Sequence, residues 1–148
     1  MSTNVAHIID RKGGEVVTIG PAATLAKAAA LLAEHNIGAV VVSRDGTTVD
    51  GILSERDIVR QFASTDGVGT GSVSVSTAMT TGVHTATPAA TIDELVQIMT
   101  TGRFRHVPIV DGGALVGIVS IGDVVKSRMD ELQTEAESLQ EYVTGTSY

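Results

Sequence analysis

Gly51-Ile-Leu-Ser-Glu-Arg-Asp57 and Gly117-Ile-Val-Ser-Ile-Gly-Asp123 are two versions of one sentence. Each opens on glycine, runs through two aliphatic residues that suit a buried strand, and reaches Ser-x-x-Asp, the pattern that starts a helix. The serine and the aspartate then share the first turn of a helix leaving a strand. Capping alone accounts for this arrangement and is worth about 0.5–2 kcal/mol. The same geometry also suits a ligand. A carboxylate at a helix start can accept both hydroxyls of a ribose, and a serine hydroxyl beside free helix N–H groups suits a phosphate.

Working outward, the repetition extends well beyond the two heptapeptides. Val16-Val-Thr-Ile-Gly-Pro-Ala-Ala-Thr-Leu25 aligns with Val83-His-Thr-Ala-Thr-Pro-Ala-Ala-Thr-Ile92, and a single gap at Thr48 keeps the register to the end. Pro21/Pro88, Thr24/Thr91, Gly51/Gly117, Ser54/Ser120 and Asp57/Asp123 all fall together, so the chain is read as two copies of one unit. A β-prone piece (Val16–Ile19; Val83–Ala86) ends at a proline turn. A helix follows, with Leu25, Ala28, Ala29 and Leu32, or Ile92, Leu95, Val96 and Met99, at helical spacing. Thr91-Ile-Asp-Glu94 is a capping box. Then come a buried strand (Ile37–Val42; Phe104–Val110), a turn at Asp45-Gly46 or Asp111-Gly112-Gly113, a second strand (Val49–Leu53; Leu115–Val119) and the helix begun at Ser54 or Ser120. The order predicted is β-α-β-β-α, twice, in an α+β fold with α/β-like order.

Residues 1–15 form an N-terminal segment expected to pack on the module, 16–63 the first repeat, 64–80 a linker with a short lead-in helix, 81–127 the second repeat, and 128–148 a helical extension and tail. The Gly-, Ser- and Thr-rich stretch Ser64–Ser76 reads as plain flexible linker, since Gly67-Val-Gly-Thr-Gly71 fits no phosphate-loop pattern and no lysine follows. The last helix is long, about Gly122–Val143. Val125, Met129, Leu132, Ala136, Leu139 and Val143 alternate spacings of four and three, a heptad seam that either packs on its own repeat or pairs with a second copy.

A net charge of −7 opposes nucleic-acid polymers and anionic membranes. The chain lacks cysteine and an apolar run of about 20 residues, so no thiolate chemistry, signal peptide or membrane span is read, and a cytoplasmic setting is the default expectation. The histidines His7, His35 and His84 have no metal-ligand spacing, and no catalytic residue or metal site is predicted.

The Gly-hydrophobic-hydrophobic-Ser-x-x-Asp motifs, together with the strand Arg105-His-Val-Pro-Ile-Val-Asp111 and the lead-in Val75-Ser-Thr-Ala-Met-Thr80, resemble the CBS domain. A tandem pair of such domains is a Bateman module, and the chain looks like the small stand-alone type. The resemblance covers nearly the whole chain. It implies two clefts related by a pseudo-two-fold axis, with Asp57 and Asp123 on ribose hydroxyls. Ser54, Arg56, Ser120, Arg105 and His106 are implied near phosphate, and backbone around Gly14, Thr80 and Thr81 (with Gly13) on the adenine side. It further implies a non-catalytic sensor of an adenosine-containing nucleotide (AMP, ADP, ATP, NAD(H) or S-adenosylmethionine), with no required cofactor, a homodimer, and a protein target that reads the ligand. Gly38-Ala39 stand where the second repeat has Arg105-His106, so the Asp123 cleft is expected to hold phosphate more tightly, leaving Asp57 to rely on Arg56, Arg60 or the other repeat. The alternative is an interaction or structural module with vestigial clefts. An enzyme acting on nucleotides is the remote third reading.

Overall fold

A computed structural model describes residues 4–13 and 15–144. The elements run α1 (Val5–Lys12), β1 (Thr18–Ile19), α2 (Leu25–His35), β2 (Ala39–Val42), β3 (Gly51–Ser54), α3 (Glu55–Ser64), a single 3-10 turn (Thr70–Ser72), α4 (Val75–Ala78), α5 (Ile92–Gly102), β4 (His106–Asp111), β5 (Ala114–Ser120) and α6 (Ile121–Thr144). The first repeat forms a three-stranded sheet in which β1 runs parallel and β3 antiparallel to β2; β4 and β5 pair antiparallel in the second.

The helix starts follow from the sequence chemistry. Thr24 accepts from Lys27 N–H, and Thr91 and Glu94 form a reciprocal capping box. Both α2 and α5 end on a non-glycine residue in the left-handed region, Asn36 (φ 53°) and Arg103 (φ 58°), at aligned positions. The turn between β2 and β3 is organised by Asp45, whose carboxylate accepts from the N–H and hydroxyl groups of both Thr47 and Thr48. The Thr47 and Thr48 N–H groups are the main reason its pKa lies well below the carboxylate range.

There are two apolar cores, and each is completed by the other repeat's lead-in. Val5 and Ile8 of α1 precede the first repeat but are buried with Ile92, Leu95, Val107, Ile109 and Val119 of the second. Val75 of α4 precedes the second repeat but is buried with Leu25, Leu32, Val40, Val42 and Leu53 of the first. The backbone bonds repeat the exchange residue for residue. Val75 and Ser76 N–H donate to Ala23 and Pro21 carbonyls; Val5 and Ala6 N–H donate to Ala90 and Pro88 carbonyls. The paired prolines of the sequence repeat are therefore the docking points of the two lead-ins.

Two expectations change, and for the last helix one of the two readings falls away. The predicted strand Val83–Ala86 is reduced to one parallel bridge, Ala86 to Ile109. Pro108 stands where the first repeat has Val41, the partner of Thr18 in β1, and proline has no N–H to give the ladder. The Ser64–Ser76 stretch is not a plain linker: Thr70 is buried, its hydroxyl lies 2.6 Å from that of Thr65, and Leu25 N–H donates to Val73 O. Gly67 and Gly69 take positive φ there, which lets the chain double back. Finally, the heptad seam does not pack on its own repeat. Val124 and Ser127 of α6 are buried, while Val125, Met129, Leu132, Leu139 and Val143 are exposed.

At Gly51 the lead-in approaches too closely for a side chain. A Cβ there would sit 2.8 Å from the Thr80 carbonyl oxygen and 2.9 Å from Met79 Sδ. At the aligned Gly117 the obstruction is the end of the Ile9 side chain, which can swing aside. Gly51→Ala is expected to cost about 1–3 kcal/mol in urea unfolding, and Gly117→Ala clearly less; equal losses would show that the Thr80 backbone is not the rigid wall described.

Candidate functional site

The strand–helix turns place Asp57 and Asp123 alike, on the first turn of α3 and α6, but their surroundings differ. Asp57 is 3% exposed and fully engaged. Its Oδ2 accepts from Ser54 N–H (2.9 Å) and Ser54 Oγ (3.1 Å), and its Oδ1 from Arg60 Nη1 (2.9 Å) and Thr80 Oγ1 (3.2 Å). The capping reading and the site reading thus meet in one carboxylate. Thr80 is held there because its N–H and C=O pair with Ile52 of β3 at 2.8 and 3.0 Å, extending the first sheet by one rung.

A cavity of about 550 Å³ opens beside Asp57. The first repeat supplies Ser54, Glu55, Arg56 and Arg60, and the lead-in Thr80; the second supplies Val83, Arg103, Phe104, Arg105 and His106. This corrects the expected assignment of Arg105 and His106. They line the cavity of Asp57, because the exchanged lead-ins set the start of β4 opposite the start of α3. The cavity therefore gathers four guanidinium groups and an imidazole against two carboxylates, a local positive site in a chain of net charge −7. Gly38 leaves room for this: a Cβ there would lie 2.6 Å from Glu55 Oε1 and 3.8 Å from His106 Cε1.

His106 sits between the two sites. Burial lowers its pKa below the ordinary histidine value, and the charges of Lys12 and Arg105 push the same way; Asp123 and Glu55 oppose them. Around Asp123 the capping bonds recur, with Ser120 N–H to Oδ2 at 2.8 Å and Asp123 N–H to Ser120 Oγ at 3.1 Å. Here, however, Lys12 Nζ of α1 donates to Asp123 Oδ2 at 2.8 Å and to Ile118 O at 2.8 Å. Burial works to raise the Asp123 pKa, but the bonds from Lys12 and Ser120 outweigh it and hold the carboxyl below its usual value.

Of the residues named from sequence, Ser54, Arg56, Asp57, Thr80, Arg105 and His106 share the Asp57 cavity, while Ser120 and Asp123 lie together at the second site. Thr81 is exposed and is not part of the cavity lining. Gly14 lies outside the described residues. Glu55, Arg103, Phe104 and Lys12 were missed. Arg103 and Phe104 immediately precede Arg105, so the contiguous run Arg103-Phe-Arg-His106 was the available signal; Lys12 had none, since nothing in sequence ties α1 to the second repeat. Among the described residues no group of three or more His, Asp or Glu could hold a metal ion, and no helix is long and apolar enough to cross a membrane.

Two interlocked strand–helix repeats, each carrying a Ser-x-x-Asp turn at a strand–helix junction, define a tandem-repeat α+β module. The chain belongs to the CBS domain family, whose model matches residues 5–64 and 74–130. It is 32% identical over 152 residues to the CBS domain-containing protein CBSX3, mitochondrial, of Arabidopsis thaliana, an alignment covering 97% of this chain and 73% of that protein. The crystal structure of a CBS-domain-containing protein from Agrobacterium tumefaciens shares 50% identity with a TM-score of 0.80, covering 86% of this chain and 95% of that one. The CBS domain pair of protein MJ0100, solved in complex with 5′-methylthioadenosine and S-adenosyl-L-methionine, shares the fold at a TM-score of 0.76 and 23% identity, covering 88% and 99%.

The His106 environment has a measurable consequence. Its imidazole midpoint, followed by NMR, is expected below the ordinary value of about 6.5, moving up in Arg105→Ala and down in Glu55→Gln. Because the folded pKa is the depressed one, the unfolded chain binds the proton first. The stability tied to His106 is therefore complete above about pH 6.5 and is lost as the pH falls toward the folded midpoint. A midpoint at or above the ordinary value would contradict the burial and charge arrangement.

Proposed function

We propose that the chain is a non-catalytic sensor that binds a phosphate-bearing adenosine nucleotide in the Asp57 cavity. The single observation that carries this reading is the meeting, in one cavity, of a cap carboxylate from the first repeat with Arg103, Phe104, Arg105 and His106 from the second. Two of the donors on Asp57, Arg60 and Thr80 Oγ1, face the cavity and can give way to ribose hydroxyls. The Phe104 ring, backed by His84 at a centroid distance of 5.2 Å, offers a face for a base. Arg56, Arg105 and the freed Arg60 offer charge-assisted bonds to phosphate.

The charge of the site ranks the ligands. AMP, ADP, ATP and NAD(H) bring phosphate to a cluster of guanidiniums, whereas S-adenosylmethionine brings a cationic sulfonium and is disfavoured there. The complex of protein MJ0100 with two adenosine compounds supports adenosine as the common element for a CBS pair. A ligand spanning both repeats acts by favouring one mutual arrangement over another, and a protein target reads the difference. The same reading includes a homodimer: Val125, Met129, Leu132 and Leu139 on α6, with Val59 at the position aligned to Val125 on α3, leave apolar surface exposed that a second copy would cover.

Thermal unfolding with AMP, ADP, ATP, NAD and S-adenosylmethionine, with GMP as control, tests the ligand. At a hundred times the dissociation constant a binder adds about 2.7 kcal/mol, a rise of about 5–10 °C for this length. We expect the rise with phosphate-bearing adenosine compounds, none with GMP, and its loss in Asp57→Ala; no rise at millimolar concentration would favour the interaction-module alternative. Deleting residues 134–148 is expected to reduce the mass seen by light scattering, and an unchanged mass would remove α6 from the dimer.

A further inference from the structure

The two lead-ins stand in aligned places yet end differently. Counting from the shared docking pair Val75 and Val5, α4 stops at Ala78 and the chain turns extended, so that Thr80 can pair with Ile52 and reach Asp57 with its hydroxyl. Helix α1 continues to Lys12, closed at Gly13 in the left-handed conformation, and offers no extended residue to the second sheet. Lys12 makes up the difference with one side chain. Its ammonium donates to Ile118 O, the carbonyl aligned with the Ile52 oxygen that accepts from Thr80 N–H, and to Asp123, the carboxylate aligned with the one that accepts from Thr80 Oγ1.

The substitution changes what the carboxylate can do. At the lead-in position the donor on Asp57 is the neutral Thr80 hydroxyl, which exchanges readily for a ribose hydroxyl; the charged donor there, Arg60, comes from the helix α3 itself. On Asp123 the lead-in's donor is a charged, tethered ammonium on Oδ2, the oxygen that also accepts from Ser120 N–H, and the pair has side-chain exposures of 38% and 25%. In the repeat alignment Gly38 and Ala39 correspond to Arg105 and His106, so the first repeat's strand start carries no guanidinium of its own.

We infer that Lys12 is the residue that makes the two Ser-x-x-Asp turns unequal: it is a tethered competitor for a ribose hydroxyl on Asp123 Oδ2, so the chain binds one nucleoside ligand in the Asp57 cavity and takes a second only when Lys12 is released from Asp123. This rests on the reading of Ser-x-x-Asp turns as nucleoside sites, but its signals come from different residues.

The test is NMR of the full chain titrated with adenosine, and in parallel with ATP, following the amides of Ser54 and Asp57 for the first site and of Ser120 and Asp123 for the second. In the native chain the second pair is expected to stay still while the first moves. In Lys12→Met, Ser120 and Asp123 should respond to adenosine with at least about tenfold tighter binding, the scale of a charge-assisted contact removed. Lys12→Arg, which keeps the charge, should leave the site closed. If Lys12→Met loosens α1, Lys12→Gln, with its stem retained and its charge removed, replaces it. Response of Ser120 and Asp123 in the native chain equal to that in Lys12→Met, silence in both neutral variants at millimolar adenosine, or opening by Lys12→Arg as well would each overturn the inference. Silence of Ser54 and Asp57 alone would instead count against the Asp57 reading, whatever the second pair does.

Discussion

Everything in this molecule follows from an exchange of two valines. Val5 and Val75 are fully buried, and each lies in the core of the repeat that it does not precede. A buried valine is worth about 1.5–3 kcal/mol in transfer free energy, and each is accompanied by a pair of backbone hydrogen bonds to a Pro-Ala-Ala turn of the opposite unit. Neither repeat completes its core alone. The interface between the repeats is therefore part of the fold itself, and residues from both must converge on a shared cleft. It is the arginines just before β4, Arg103 and Arg105, that this interlock brings into the cavity of Asp57.

Convergence creates an electrostatic problem that the capping box solves. A carboxylate with 3% exposure is costly unless donors surround it. Ser54 supplies two, by its N–H and its hydroxyl, and these come from the helix start itself, independent of any ligand. The remaining two, Arg60 and Thr80 Oγ1, come from the cavity side. The capping oxygen of Asp57 is therefore satisfied by its own helix start, while the oxygen bonded by Arg60 and Thr80 is the one whose partners come from groups lining the cavity.

The sequence made the repeat legible because Pro, Thr, Gly, Ser and Asp recur in register, and these are the residues whose roles are local: a turn, a cap, a close approach. Asp57 and Asp123, the two capping boxes and the long last helix all come from such local chemistry. What failed was adjacency. Alignment says that Arg105 is equivalent to Gly38; it does not say which aspartate Arg105 faces, and the exchanged lead-ins reverse the intuitive answer. The strand expected at Val83–Ala86 failed for a comparable reason, since the missing N–H belongs to Pro108, distant in sequence and visible only once the parallel pairing is known. In the 64–76 stretch, composition suggested freedom, but two glycines with positive φ and a pair of threonine hydroxyls build a specific turn from the same residues.

The remaining asymmetry is conformational before it is chemical. The lead-ins begin with the same docking contacts, so their different lengths of helix decide what reaches the motif carboxylate. An extended Thr80 presents backbone and a short neutral hydroxyl; a helix carried on to Lys12 presents the end of a long charged side chain. The consequence reaches His106, which lies between the sites and feels Lys12 and Asp123 from one side and Arg105 and Glu55 from the other. Any change in the Lys12–Asp123 pair alters the field at an imidazole lining the Asp57 cavity. The different ends of the two lead-ins thus leave their mark on the electrostatics of the Asp57 cavity lining, through His106.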